Sequence, residues 1–143
     1  MNKILKQTIS WTLYFALLFG LVFGVPKGLA YVLKTPYPMA SISSSSMWPA
    51  LKRGDLVFIK GVGHKNELEI GDIVVYKNIK GFTIHRVVRL NDNTLTTKGD
   101  ANNTFDAPIS YTEVVGKAVK IGDRTIRLPL VGNISLLINR PNL

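Results

Sequence analysis

The chain has 143 residues, 46% of them hydrophobic and 19% charged, with a formal charge of +9. That length holds one domain plus at most an appendage. The absence of cysteine excludes disulfides, thiolate metal sites and a cysteine nucleophile, and leaves the compartment open. The basic residues are scattered, which fits solubility or an anionic membrane surface better than nucleic acid.

Much of the apolar content lies before residue 35. Lys3 and Lys6 precede Ile9–Val25, a run without any charged residue, at the short end of what spans a bilayer as a helix. Beyond Pro26-Lys27-Gly28, the stretch Leu29–Leu33 either extends the span or lies in the interface. Trp11, Tyr14 and Tyr31 stand near its ends, as interfacial aromatics do. Lys3 and Lys6 favour a cytoplasmic N-terminus, against the opposing pull of Lys27 and Lys34. A cleaved signal peptide has the same layout, but this run is longer than a usual h-region and no clear small-x-small site follows promptly. The expected organisation is a cytoplasmic start at 1–8, a retained anchor with its interfacial extension at 9–33, and an extracytoplasmic β-domain at 34–143.

Thr35-Pro36-Tyr37-Pro38 is a stiff connector, because each proline restricts itself and its predecessor. Short apolar runs between turn signals then predict an all-β body. Leu56–Ile59 follows Gly54-Asp55, and Ile73–Tyr76 follows Gly71-Asp72. Phe82–Leu90 is a longer strand, expected to form a hairpin with Thr94–Thr97 across Asn91-Asp92-Asn93. Gly99–Asp106 is a polar loop. Val114–Ile121 and Thr125–Leu128 read as the last strands, and the apolar Leu130–Ile138 either packs on the domain or dips into lipid. It is too short to span as a helix.

Between the connector and the first long strand lies Ser43-Ser44-Ser45-Ser46-Met47-Trp48-Pro49. Serine runs are ordinarily flexible linkers. A serine hydroxyl becomes a nucleophile only when a base takes its proton, for which a neutral imidazole is well suited, and a carboxylate orients and stabilises the resulting imidazolium. Only two histidines exist. His64 sits in a polar loop, expected to be solvent-exposed, whereas His85 lies in the long strand. The loop that follows supplies Asp100 and Asp106.

Ser44-Ser45-Ser46-Met47-Trp48-Pro49 followed by Gly54-Asp55-Leu56-Val57 resembles the nucleophile box of type I signal peptidases. Ile84-His85-Arg86-Val87-Val88 resembles their general-base box, and Lys98-Gly99-Asp100-Ala101-Asn102 with Asp106 their last box. The three boxes occur in order from about residue 41 to residue 122, after an N-terminal anchor. Histidine where most bacterial members place lysine resembles the endoplasmic-reticulum type, found in eukaryotes, archaea and some Gram-positive bacteria. Lys77, Lys80 and Lys98 lie outside the base box.

The resemblance implies a small β-domain shared with the self-cleaving repressors of the DNA-damage response. It makes Ser46 the nucleophile and His85 the general base. Asp106 would be the carboxylate partner, with Asp100 a supporting acid or the actual partner; the two lie in one loop and the sequence does not decide between them. The Ser46 N–H and Ser44 hydroxyl would form the oxyanion hole, with Ile42, Met47 and Ile84 lining a shallow apolar groove. Many relatives have glycine where Ser45 stands. No metal or organic cofactor is implied. The implied function is a membrane-anchored serine endopeptidase that removes signal peptides from exported pre-proteins, in contact with the bilayer and with unidentified accessory subunits. The rivals are a non-catalytic membrane-tethered β-domain and a processing peptidase devoted to a few surface proteins.

Overall fold

A computed structural model describes residues 2–79 and 81–138. It divides after Val32 into a helical unit and a β-domain. The helical unit is one helix, Lys3–Val32, built from α1 (Lys3–Phe19), a π-helical turn (Gly20–Gly24) and α2 (Val25–Val32). At about 1.5 Å per residue such a helix exceeds the ~30 Å hydrocarbon thickness of a bilayer. None of it is buried in protein, so apolar side chains such as Leu13, Phe15 and Leu17 stand exposed. By length and composition it can cross a membrane. Pro26 has no N–H to donate and is accommodated two residues after the end of the widened π turn, so Pro26-Lys27-Gly28 extends the helix and does not end it. The Thr8 and Thr12 hydroxyls donate to the carbonyls four residues earlier, at 3.0 and 2.9 Å, which satisfies both polar groups inside an apolar helix.

The β-domain is mainly antiparallel sheet, in agreement with the alternating runs. Its strands are β1 (Met39–Ser41), β2 (Leu56–Lys60), β3 (Ile73–Asn78), β4 (Gly81–Leu90), β5 (Thr94–Lys98), β6 (Ile109–Ser110), β7 (Val114–Ala118), β8 (Lys120–Ile121), β9 (Arg124–Thr125) and β10 (Arg127–Leu128). The main sheet runs β1-β2-β7-β3-β4-β5-β6, with β10 also on β2, while β8 and β9 form a separate ribbon. The expected hairpin forms, with Leu90 opposite Leu95.

Strand β3 is buried on both faces, which explains its unbroken apolar run. Ile73 and Val75 enter one cluster with Ile42, Met47, Leu51, Val57 and Ile59. Val74 and Tyr76 enter a second with Leu68, Val87 and Leu95. Burying one such aliphatic side chain contributes about 1.5–3 kcal/mol, so the two clusters are the main cohesion of the domain.

Two expectations change. Val114–Ile121 is not one strand, because Val119 leaves the β7 ladder. Its N–H goes to Phe58 at 2.8 Å and its carbonyl accepts from Ile126 at 2.9 Å. Thr125–Leu128 is likewise split between β9 and β10. The apolar tail forms α3 (Gly132–Ile138), which packs on β1; the rest of the tail, 139–143, lies outside the described residues.

The two Gly-Asp turns are structural twins. Gly54 and Gly71 take φ of +89° and +97°, a region that side chains rarely adopt. Asp55 and Asp72 are buried, and each closes its turn by accepting a backbone N–H, from Lys52 at 2.9 Å and from Glu69 at 3.1 Å. Arg127 compensates Asp55 at 2.5 Å; Lys117 and Lys120 compensate Asp72 at 2.9 and 2.8 Å. The first turn also braces the serine run, since Gly54 donates to the Ile42 carbonyl at 2.8 Å and Ile42 to that of Asp55 at 2.9 Å.

Candidate active site

Ser46 opens a tight turn that packing holds in place. Met47, directly after it, is 1% exposed in the first cluster, and the Leu51 N–H donates to the Met47 carbonyl at 2.9 Å. The run is therefore no free linker at its C-terminal end. From the other side, Ala101 donates its N–H to the Ser46 carbonyl at 2.8 Å. A Cβ on Gly99 would stand 2.8 Å from that oxygen, so glycine is required for this approach. Ser45 is exposed, and among the described non-glycine residues only Lys34 and Leu130 have positive φ. A side chain therefore fits at Ser45 without strain.

Strand β4 carries His85, 8% exposed, between β3 and β5. Its Nε2 lies 3.2 Å from Ser46 Oγ and its Nδ1 lies 2.5 Å from Asp106 Oδ2. With the proton on Nδ1, the ring donates to Asp106 and leaves Nε2 as acceptor for the serine hydroxyl. Asp106 arrives on the Gly99–Asp106 loop, which is tied back by its N–H to the Thr97 carbonyl at 2.9 Å.

Asp100 does not reach His85. It accepts two parallel bonds from Arg86, Nε at 2.8 Å and Nη2 at 2.6 Å, and Arg86 Nη1 donates to the Gly71 carbonyl at 2.8 Å. Hydrogen bonding to Asp100 raises the Arg86 guanidinium above its ordinary value, despite partial burial. Ser44 Oγ lies 3.1 Å from Ser46 Oγ. Ile42, Met47 and Ile84 line an apolar groove of about 950 Å³ together with Ser44, Ser46 and His85. Tyr37 and Phe82, with ring centroids 5.0 Å apart, and Val131, Ile134 and Leu136 of the tail also line it.

His64 stands exposed beside a short 3-10 turn (Lys65–Glu67). Of the three lysines outside the base box, Lys77 is exposed, the Lys98 ammonium sits 5.5 Å over the Phe105 ring, and Lys80 lies outside the described residues. No group of three or more His, Cys, Asp or Glu among the described residues could hold a metal. The residues that sequence reasoning missed are Thr97 and Tyr76, whose hydroxyls donate to Asp106 Oδ2 at 2.7 and 3.3 Å. Neither had a signal beyond its place in a strand.

A hydroxyl, an imidazole and a carboxylate in hydrogen-bonded series, beside an apolar groove on an antiparallel β-domain, define the serine peptidase class. The comparisons agree. A family model described as Peptidase S24-like matches residues 23–119. The signal peptidase complex catalytic subunit SEC11 of Colletotrichum graminicola is 37% identical over 145 residues, covering 94% of this chain and 83% of its own length. The proteins of the same name from Fusarium vanettenii and Neurospora crassa are 35% and 36% identical, each over 79% of this chain and 70% of their own. The chain belongs to the S24-like peptidase family, as a serine peptidase of the endoplasmic-reticulum signal peptidase type.

Proposed function

We propose that the protein cleaves signal peptides from exported pre-proteins at a membrane surface, with Ser46 as nucleophile, His85 as general base and Asp106 as its carboxylate partner. The observation that carries this is the continuous series from Ser46 Oγ through both nitrogens of His85 to Asp106, opening on an apolar groove. As Ser46 Oγ attacks the scissile carbonyl, its proton passes to His85 Nε2. Asp106 stabilises the imidazolium, which then protonates the leaving amine; water, deprotonated in turn by His85, attacks the acyl-enzyme ester, freeing the signal peptide as a carboxylic acid and returning the proton to Ser46 Oγ.

The Ser46 N–H and the Ser44 hydroxyl would receive the oxyanion; loss of one such donor typically costs ~10²–10³ in rate. The substrate would lie extended along β1, which ends the strand order and lines the groove. Lys3–Val32 would be a single-pass anchor with its N-terminus in the cytoplasm, and residues 34–143 the catalytic domain outside it. Accessory subunits are expected, because the relatives are named as catalytic subunits of a complex.

The test is cleavage of a pre-protein by the full chain in detergent or liposomes. Ser46→Ala and His85→Ala should each lose on the order of 10⁴–10⁶ in rate. Full activity in Ser46→Ala would overturn Ser46 as the nucleophile, and no cleavage by the wild-type chain would leave a non-catalytic tethered β-domain. A census of uncleaved pre-proteins after gene deletion separates a general peptidase from one devoted to a few surface proteins.

A further inference from the structure

Three donors converge on one oxygen of Asp106. Oδ2 accepts from His85 Nδ1 at 2.5 Å, from the Thr97 hydroxyl at 2.7 Å and from the Tyr76 hydroxyl at 3.3 Å. Thr97 grips the aspartate twice, since its carbonyl also accepts the Asp106 N–H at 2.9 Å. Thr97 is 0% exposed and Tyr76 4%, so both donors are shielded from bulk water, while the Asp106 side chain is 24% exposed. Both belong to strands, β5 and β3, whereas Asp106 sits on a loop. Burial, together with the nearby Asp106 charge, raises the Tyr76 phenol above its ordinary value, so it remains a donor throughout the working pH range.

We propose that Thr97 and Tyr76 are positioning residues for the hydrolysis, which aim the Asp106 carboxylate at His85 Nδ1 and set how strongly that carboxylate draws on the imidazole. This rests on the reading of Ser46, His85 and Asp106 as the catalytic series. A carboxylate that accepts several hydrogen bonds has its charge dispersed among them. When one buried donor is removed, the charge concentrates on His85 and favours the imidazolium, so activity is lost at a higher pH during acidification. The carboxylate also gains freedom to turn away, which lowers turnover.

Charged groups on the neighbouring elements are engaged elsewhere or exposed. Arg86 on β4 is held by Asp100, the Lys98 ammonium on β5 lies over the Phe105 ring, and Lys117 on β7 is held by Asp72. Lys77 on β3 and Arg89 on β4 are exposed.

The experiment measures kcat, KM and the pH profile of the full chain in detergent on a pre-protein, for wild type, Thr97→Val, Thr97→Ser, Tyr76→Phe and Asp106→Asn. Thr97→Val keeps the shape but removes the donor, and should lower kcat about tenfold or more, with KM unchanged and the acid limb moved to higher pH. Tyr76→Phe, whose contact is longer, should do the same to a smaller degree, and Thr97→Ser should restore both readouts. Folded Thr97→Val and Tyr76→Phe with wild-type kcat and acid limb, beside an inactive Asp106→Asn, would overturn the proposal and leave the catalytic series standing. Wild-type activity in Asp106→Asn would overturn both. Equal losses in Thr97→Val and Thr97→Ser with an unmoved acid limb would mark a merely structural role. Should Thr97→Val fail to fold, the acid limb of Tyr76→Phe decides.

Discussion

His85 and Arg86 are neighbours on β4, and each takes one aspartate from the same loop, yet the two pairs work differently. Strand alternation sends the two side chains to opposite faces. Arg86 spends two donors on Asp100 and a third on the Gly71 carbonyl, and its charge is permanent. It clamps the loop and has nothing to exchange. His85 uses one nitrogen on Asp106 and keeps the other for Ser46. An imidazole can take up and return a proton where a guanidinium cannot. One loop thus carries a fixed ion pair and a pair able to exchange a proton, six residues apart.

The largest expected effect separates the two aspartates. Asp106→Asn should lower kcat by about 10⁴, as the wrong tautomer of the histidine is then favoured. Asp100→Asn should leave far more activity; a loss as deep as that of Asp106→Asn in the same cleavage assay would erase the distinction. Next in size is the clamp itself. Arg86→Met should lower stability by about 1–3 kcal/mol, read from urea unfolding, because a part-buried carboxylate loses its bidentate partner.

The smallest effect concerns a third carboxylate, also static. Burial pushes Asp72 upward, but the ammonium groups of Lys120 and Lys117 and the Glu69 N–H outweigh it and hold the carboxyl below its ordinary range. A depressed value in the folded state contributes stability above the unfolded value, lost as pH falls through the folded one. The domain should therefore weaken on acidification below about pH 4, the ordinary aspartate range, and Asp72→Asn should flatten that slope in urea titrations.

Much of the site was legible because its residue types are scarce. Without cysteine and with only two histidines, one of them in a polar loop, few candidates remained, and the resemblance of the ordered boxes pointed to Ser46 and His85. The choice between Asp100 and Asp106 was not legible, since both are aspartates of one loop and only the fold puts Arg86 on one and His85 on the other. Thr97 and Tyr76 read as ordinary strand residues, because what distinguishes them is a hydroxyl aimed across strands. The break at Val119 escaped for the same reason: its hydrogen-bond partners, Phe58 and Ile126, lie elsewhere in the chain.

The amino-acid sequence by itself determined the long apolar helix, the strand-rich body and the Gly-Asp turns, because each follows from local periodicity or turn chemistry, while Ser46 and His85 were singled out by the family boxes they resemble. Only the tertiary structure decided which carboxylate meets the imidazole, what holds that carboxylate in place, and that the apolar tail packs on β1 and lines the groove. Those outcomes depend on groups that lie far apart along the chain and are brought together only by sheet pairing and burial.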